Sequence, residues 1–186
     1  MIAVMKAYPF GMLVSAEGNT PFVTHIPIIY NETSGKLVAH IDRQNPQVQT
    51  LVNGAQVTVV FKGPDCYISP SVYNTPQLPT WNYIIVHITG SIQLVNDPET
   101  AKQTMVAMTD FLEQPEHKFK LAMDDPRMDR LINYIQAFEI DITNWEGKFK
   151  LSQDKNAEDF ELAKQRLIES SKNDILNFVT GIYERL

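Results

Sequence analysis

Cysteine is nearly absent from this chain. Cys66 is the only one among 186 residues, so no internal disulfide can form and no thiolate zinc site can be assembled. Long apolar runs are missing too, since no stretch approaches the roughly 20 residues a membrane-spanning helix needs. A basic excess is also lacking. Lys and Arg number 16 against 22 Asp and Glu, a net charge of −6, which opposes non-specific attraction to DNA or to an anionic membrane. The first residues show no basic region followed by an apolar stretch and a small-residue cleavage site. With 44% apolar and 20% charged residues, the expectation is one soluble, cytoplasmic domain over residues 1–186.

Several signatures of chemistry are wanting as well. There is no Gly-x-Gly-x-x-Gly turn and no Gly-Lys-Ser/Thr loop, which disfavours a Rossmann or P-loop nucleotide site. No Gly-x-Ser-x-Gly elbow is present. The histidines His25, His40, His87 and His117 are scattered, with no pair at metal-ligand spacing. Hence no catalytic residue and no metal site is identified. A nucleotide-like cofactor would need its phosphate held by side chains, for which Arg43, Thr80, Lys150 and Ser152 are suitable types.

What is present is organised by period. Phe10, Met12, Val14 and Ala16 alternate with small or polar residues, which predicts a half-buried strand turning at Glu17-Gly18-Asn19. Phe22 to Tyr30 and Lys36 to Ile41 predict two more strands, and Gln47 to Val52 one or two helical turns. Gln56 to Phe61 is β-branched, Lys62-Gly63-Pro64 breaks it, and Cys66 to Ser69 resumes, with Cys66 expected to be a buried thiol. Trp81 to Val95 is a long strand that Gly90 would bend. Asp97-Pro98-Glu99 starts a helix carrying Ala101, Met105, Met108 and Leu112. Pro126 opens a second helix with Met128, Leu131, Ile132 and Ile135. Phe138, Ile140 and Ile142 return to period two, and residues 157–186 form a helical extension with a break near Ser171-Lys172-Asn173. The fold class is mainly β with added helices, a barrel or sandwich of short-turned strands.

Four segments hold more polar and aromatic residues than strand packing needs. They are Thr24-His25-Ile26-Pro27, the stretch His40 to Pro46, Tyr67 to Ser71 with Thr80-Trp81-Asn82-Tyr83, and Lys148 to Lys155. Each has a structural reading: a histidine bonded within a sheet, an Asn-Pro turn, a core tryptophan, solvated lysines.

Their order along the chain resembles a known family. Tyr8-Pro9-Phe10-Gly11, Thr24-His25-Ile26-Pro27, Asn45-Pro46-Gln47, Phe61-Lys62-Gly63-Pro64, Tyr67-Ile68-Ser69-Pro70-Ser71, Pro79-Thr80-Trp81-Asn82-Tyr83 and Lys150-Leu151-Ser152-Gln153 are similar to segments of the PaiB-like family. That family is described as negative transcriptional regulators related to FMN-binding split barrels of pyridoxamine-phosphate-oxidase type. The resemblance runs from about Tyr8 to about Asp154, and Thr-Trp-Asn-Tyr with Lys-Leu-Ser-Gln are its most specific parts. Three departures stand out: only seven residues precede Tyr8, where the family carries a further helix; Val72 replaces a common tryptophan; and Asp154 replaces asparagine.

The resemblance implies a dimeric, FMN-binding split β-barrel with the cofactor at the subunit interface. It places the phosphate and ribityl chain near His40, Arg43, Asn45, Thr80 and Asn82. The flavin ring would lie on the Thr24-His25 strand, covered by Trp81 and by Lys150, Ser152 and Gln153 of a second copy. A flavin-dependent oxidoreductase or a flavin-sensing regulator follows. The alternatives are a DNA-binding negative transcriptional regulator, using Lys164-Gln165-Arg166, and a haem-binding or haem-degrading split barrel with His25, His40 or His87 as ligand.

Overall fold

A computed structural model describes residues 1–171. The strands are β1 (Phe10–Glu17), β2 (Thr20–Asn31), β3 (Lys36–Asp42), β4 (Gln56–Ile68), β5 (Thr80–Val95) and β6 (Ile135–Lys150). They close into a barrel in the order β1-β2-β3-β6-β5-β4. The helices are α1 (Ile2–Ala7), α2 (Pro98–Leu112), α3 (Met128–Leu131) and α4 (Ala157–Ser171). None of them is long and apolar enough to cross a membrane. The chain gathers into two compact units, one of Met1–Lys62 with Ile85–Gly147 and one of Gly63–Ile84 with residues 148–171. The expected helix break near residue 172 and the rest of the extension lie outside the described residues.

The first unit holds the main core, built from inward residues of all six strands, among them Leu13, Ile28, Leu37, Val59, Ile88 and Phe138. The inward face of β1 differs from the predicted one. Gly11, Leu13 and Ser15 are buried, whereas Phe10 is 63% exposed and Met12, Val14 and Ala16 also face outward. Neighbouring strands already fill the interior at this level. A Cβ on Gly11 would lie 3.2 Å from both Phe61 and Val59 and 3.3 Å from Ile28, so β1 turns its smallest residues inward. Register puts Phe10, Met12 and Val14 opposite Pro27, His25 and Val23, and Met12 opposite Val60. Directly opposed residues share a face, so these side chains form one outward apolar surface.

A polar bolt crosses the same region. Asn45 caps the 3₁₀ turn Pro46–Thr50 by accepting from the Gln47 backbone N–H at 2.9 Å. The turn carries Gln47 into the interior at 1% exposure. Its Nε2 is within bonding distance of the Leu13 carbonyl (3.1 Å), Ser15 Oγ (2.9 Å) and the Phe22 carbonyl (3.2 Å), while Ser15 also bonds Thr50 at 2.5 Å.

Two further expectations change. β4 runs unbroken through Lys62-Gly63-Pro64, but its buried set moves from Val57, Val59, Phe61 and Gly63 to Cys66 and Ile68. The odd-to-even shift at Pro64-Asp65 amounts to one extra residue, as at a bulge, so the proline exchanges faces without ending the strand. The second helix is only the single turn α3 followed by a 3₁₀ turn over Ile132–Tyr134. Ile135 pairs with Asp42 in the β3–β6 ladder, which forces extended backbone where helical spacing had continued.

Before Tyr8, the seven residues do supply cover, as α1 places Met5 in the barrel core with Val4 against it. Helix α2 starts as predicted. Asp97 Oδ2 accepts from the Thr100 backbone N–H at 2.8 Å, and Met108 packs with Phe111 on Ile29 and Val38.

In the second unit, Cys66, Ile68 and Tyr73 pack with Ala163 and Leu167 of α4, and the thiol is buried as expected. Helix α4 starts with a reciprocal cap: Asn156 Oδ1 accepts from the Asp159 N–H (2.9 Å), and Asp159 Oδ2 accepts from Asn156 Nδ2 (3.0 Å). Asp159 is fully buried. It also accepts from the Asn74 N–H (2.7 Å) and from the Thr75 hydroxyl. The Thr75 hydroxyl foremost, then the Asn74 N–H and Asn156, hold its carboxyl below the usual carboxylate range against the opposing effect of burial.

Two outcomes follow. A methyl at Gly90 would sit 2.4 Å from the Asp141 carbonyl oxygen and 2.6 Å from Ile140, so Gly90→Ala is expected to destabilise by about 2–4 kcal/mol in urea unfolding. For Asp159 the folded value lies below the unfolded one, so its contribution is present above the ordinary carboxylate pKa and is lost as pH falls through the folded value. Thermal unfolding of the wild type and Asp159→Asn from pH 7 to pH 3 should show a gap that is widest near neutrality and closes at the acid end. A gap of constant size would show that the charge carries none of it.

Candidate functional site

In the second unit, the segment Gln77–Thr80 faces Lys150 and Ser152–Lys155 across an open cavity of about 550 Å³. That is within the range of small-molecule and cofactor sites. Thr80 begins β5 and Lys150 ends β6, and the Lys150 ammonium donates to Thr80 Oγ1 at 2.6 Å. Beyond Lys150 the chain turns sharply. Ser152 has φ +61°, the left-handed region that non-glycine residues seldom enter. Its hydroxyl holds it there, donating to Asn82 Oδ1 (3.1 Å) and bonding the Tyr73 hydroxyl (2.9 Å). Gln153 closes the turn on itself: Oε1 accepts from the Leu151 N–H and Nε2 donates to the Phe149 carbonyl, both at 2.7 Å.

Charge in this cavity comes from Lys150, Asp154 and Lys155. Asp154 pairs with Lys155 at 2.6 Å, which holds its carboxyl below the usual range, with Lys150 adding a smaller effect in the same direction. The same contact raises Lys155. One ammonium thus remains in excess, together with the Thr80 hydroxyl, which accepts from Lys150 and keeps its own hydrogen, whereas the Ser152 hydrogen is spent on Asn82. Such a donor set fits a phosphate or another oxyanion.

The other expected residues fall into separate environments. Asn82 is 1% exposed and does not line the cavity; it supports Ser152 from the interior. Trp81 is 49% exposed rather than a core residue. Its Nε1 donates to Asp65 Oδ1 at 2.8 Å and its ring lies 6.1 Å from that of Tyr67, so the indole is fixed in orientation with a face toward solvent.

In the first unit, Thr24 and Asn45 are joined, with Asn45 Nδ2 donating to Thr24 Oγ1 at 3.1 Å. Arg43 is exposed, and its Nε donates to the Ile135 carbonyl at 2.7 Å. His25 lies on the outward face, stacked on Phe10 at 6.0 Å. His40 shares the outer face of β3 with Val38, the face that Met108 of α2 packs against. Its Nδ1 is buried without a hydrogen-bond partner among the described residues, and burial holds its pKa below the ordinary value.

Residue typing did not single out Tyr73, Asp159 or Gln77, and Lys155 entered only as the end of the segment Lys148 to Lys155. The spacing Asn156-x-x-Asp159 was a readable cap signal. Tyr73 had none, because its role arises from a bond to Ser152, 79 residues on; Gln77 lines the cavity while its amide donates locally to Thr75 at 3.0 Å. Within the basic triplet on α4, Lys164 pairs with Glu161 at 3.0 Å and Gln165 donates to the same carboxylate at 2.8 Å.

Comparison with known proteins agrees with the fold and supplies a family. The chain is 28% identical over 168 residues to the protease synthase and sporulation protein PAI 2 of Bacillus subtilis (strain 168), covering 89% of this chain and 79% of that one. A solved FAD and haem binding protein from Mycobacterium smegmatis superposes with a TM-score of 0.65 at 16% identity, covering 87% of this chain and 75% of that one. The flavocytochrome Anf3 from Azotobacter vinelandii superposes with a TM-score of 0.62, also at 16% identity, covering 86% and 70%. At such identity the two structures establish the barrel fold alone. The family model described as "Putative FMN-binding domain" matches residues 1–144, and the chain belongs to that family, among PaiB-like proteins.

Proposed function

We propose that the chain binds FMN, with the phosphate held by Lys150 and Thr80 in the 550 Å³ cavity, and that it acts as a flavin-dependent oxidoreductase or flavin-linked sensor. The observation that carries this reading is the Lys150–Thr80 pair at 2.6 Å beside a left-handed serine, in a chain of an FMN-binding family. A flavin, when bound, supplies the redox chemistry. The chain's own residues supply position: Lys150 the charge, Tyr73 and Asn82 the fixed turn, and Trp81 an oriented ring on which a planar group can stack.

A homodimer belongs to the same proposal. Phe10, Met12, Val14, Val23 and Val60 share an outward apolar face on β1, β2 and β4, where Phe10 and Val23 are 63% and 52% exposed. Such a surface is costly in water and gains from burial against a second copy. Direct operator binding has less support, since the α4 lysine already carries its own carboxylate.

FMN titration followed by flavin fluorescence should show saturable binding, and Lys150→Met should weaken it roughly 10- to 100-fold, as expected for loss of a hydrogen bond to a charged group. No binding by the wild type would sink the reading, and unchanged affinity in the variant would move the phosphate elsewhere. An absorption spectrum of the purified protein separates flavin from haem. Sedimentation analysis should give a dimer that Val23→Glu converts to monomer, and a monomeric wild type would remove the second copy from the proposal.

A further inference from the structure

A second cavity of about 160 Å³ lies within the same unit, walled by Ile84, Leu151, Phe160, Leu167 and Ile168, with Asn82 at its lining and Lys164 at its rim. Among these walls the polar group is unusual. Asn82 is 1% exposed, and while its Oδ1 accepts from Ser152, its Nδ2 is buried with no hydrogen-bond partner among the described residues. Buried donors are seldom left so, because the desolvation cost is not recovered. Water is a poor remedy here: an ordered internal water needs two to four polar partners, and apart from Asn82 and the Lys164 at the rim the described lining residues are aliphatic or aromatic.

We propose that this cavity is a binding site for a small uncharged molecule, an apolar ring bearing one carbonyl oxygen that accepts from Asn82 Nδ2. Size limits the ligand to about one ring, since cavities near 150 Å³ hold benzene. Chemistry limits its charge. A buried anion would have one neutral amide and apolar walls around it, too little to replace its hydration. Lys164 does not supply the missing charge, because it is bonded to both Glu161 oxygens at 3.0 Å. A neutral carbonyl needs a single donor, and one is what the cavity offers. The site is distinct from the proposed FMN cavity and does not depend on it, although Asn82 and Ser152 join the two through their hydrogen bond.

The test uses a matched pair of probes, cyclohexanone and methylenecyclohexane, which differ in the acceptor alone. They are titrated into the full-length protein, with and without added FMN, and followed by the side-chain amide resonance of Asn82 in a ¹⁵N–¹H spectrum. The ketone should bind roughly three- to tenfold more tightly than the alkene, the value of one neutral hydrogen bond, and should shift the Asn82 amide. Asn82→Leu, which lacks that resonance and is followed by the backbone amides of Leu151 and Phe160 in the cavity wall, should bring the two probes to equal affinity. Ile168→Trp, at the exposed edge of the cavity, should abolish binding of both without touching the buried walls. Equal binding of the two probes by the wild type, absence of binding at millimolar concentration, or an unaffected Ile168→Trp variant would each overturn the proposal. Because the readout is the Asn82 amide, failure of FMN to bind leaves this result legible on its own.

Discussion

At Gly90 the backbone of β5 comes so near that of β6 that no side chain fits between them: even a methyl group would lie 2.4 Å from the Asp141 carbonyl oxygen. Closure of a small barrel requires its strands to coil tightly, and a residue without a side chain is where such coiling is sterically allowed. Both strands of this contact also carry residues of the candidate site. β5 begins at Thr80 and β6 ends at Lys150, the two residues that bond across the mouth of the candidate cavity. The two strands are neighbours in the barrel order, and Thr80 and Lys150 bond at 2.6 Å.

Much of this was legible in the sequence because it rests on period. The switch from alternation to helical spacing at Asp97-Pro98, the long β5 run and the buried Cys66 are local signals, each with a local cause. The inward face of β1 was not legible. Alternation shows that two faces exist, but Phe10, Met12 and Val14 are larger and more apolar than Gly11 and Ser15, so hydrophobicity alone selects the wrong one. The choice is made by volume already supplied from β2 and β4, and by the hydrogen bonds that Gln47 offers to Ser15. The same competition ended the α3 pattern early, where the ladder pairing of Ile135 with Asp42 outweighed one more helical turn.

The candidate site was legible as types and not as geometry. Lysine, threonine and serine suggested an oxyanion site, yet the bonds that assemble it join residues 70 and 79 positions apart. No spacing rule spans such distances. Ordered motifs pointed to Thr80, Asn82, Lys150 and Ser152 together, while the structure divides their work: Thr80 and Lys150 face the open cavity, and Asn82 stands behind the wall.

Ser152 shows why that division matters. Left-handed backbone costs a non-glycine residue about 1–2 kcal/mol, and glycine would avoid the cost. Serine supplies what glycine cannot, a hydroxyl bonded at once to Asn82 and Tyr73. Two such bonds contribute about 1 kcal/mol each, enough to offset the strain and little more. The turn is thus held in place by side-chain bonds from two other segments of its unit rather than by backbone preference. Lys150, two residues earlier, takes its position from the same turn. On the proposed reading, a phosphate would meet there a cation whose place is set before the ligand arrives, and side-chain bonds would supply the fixed geometry that glycine-rich loops obtain from backbone alone.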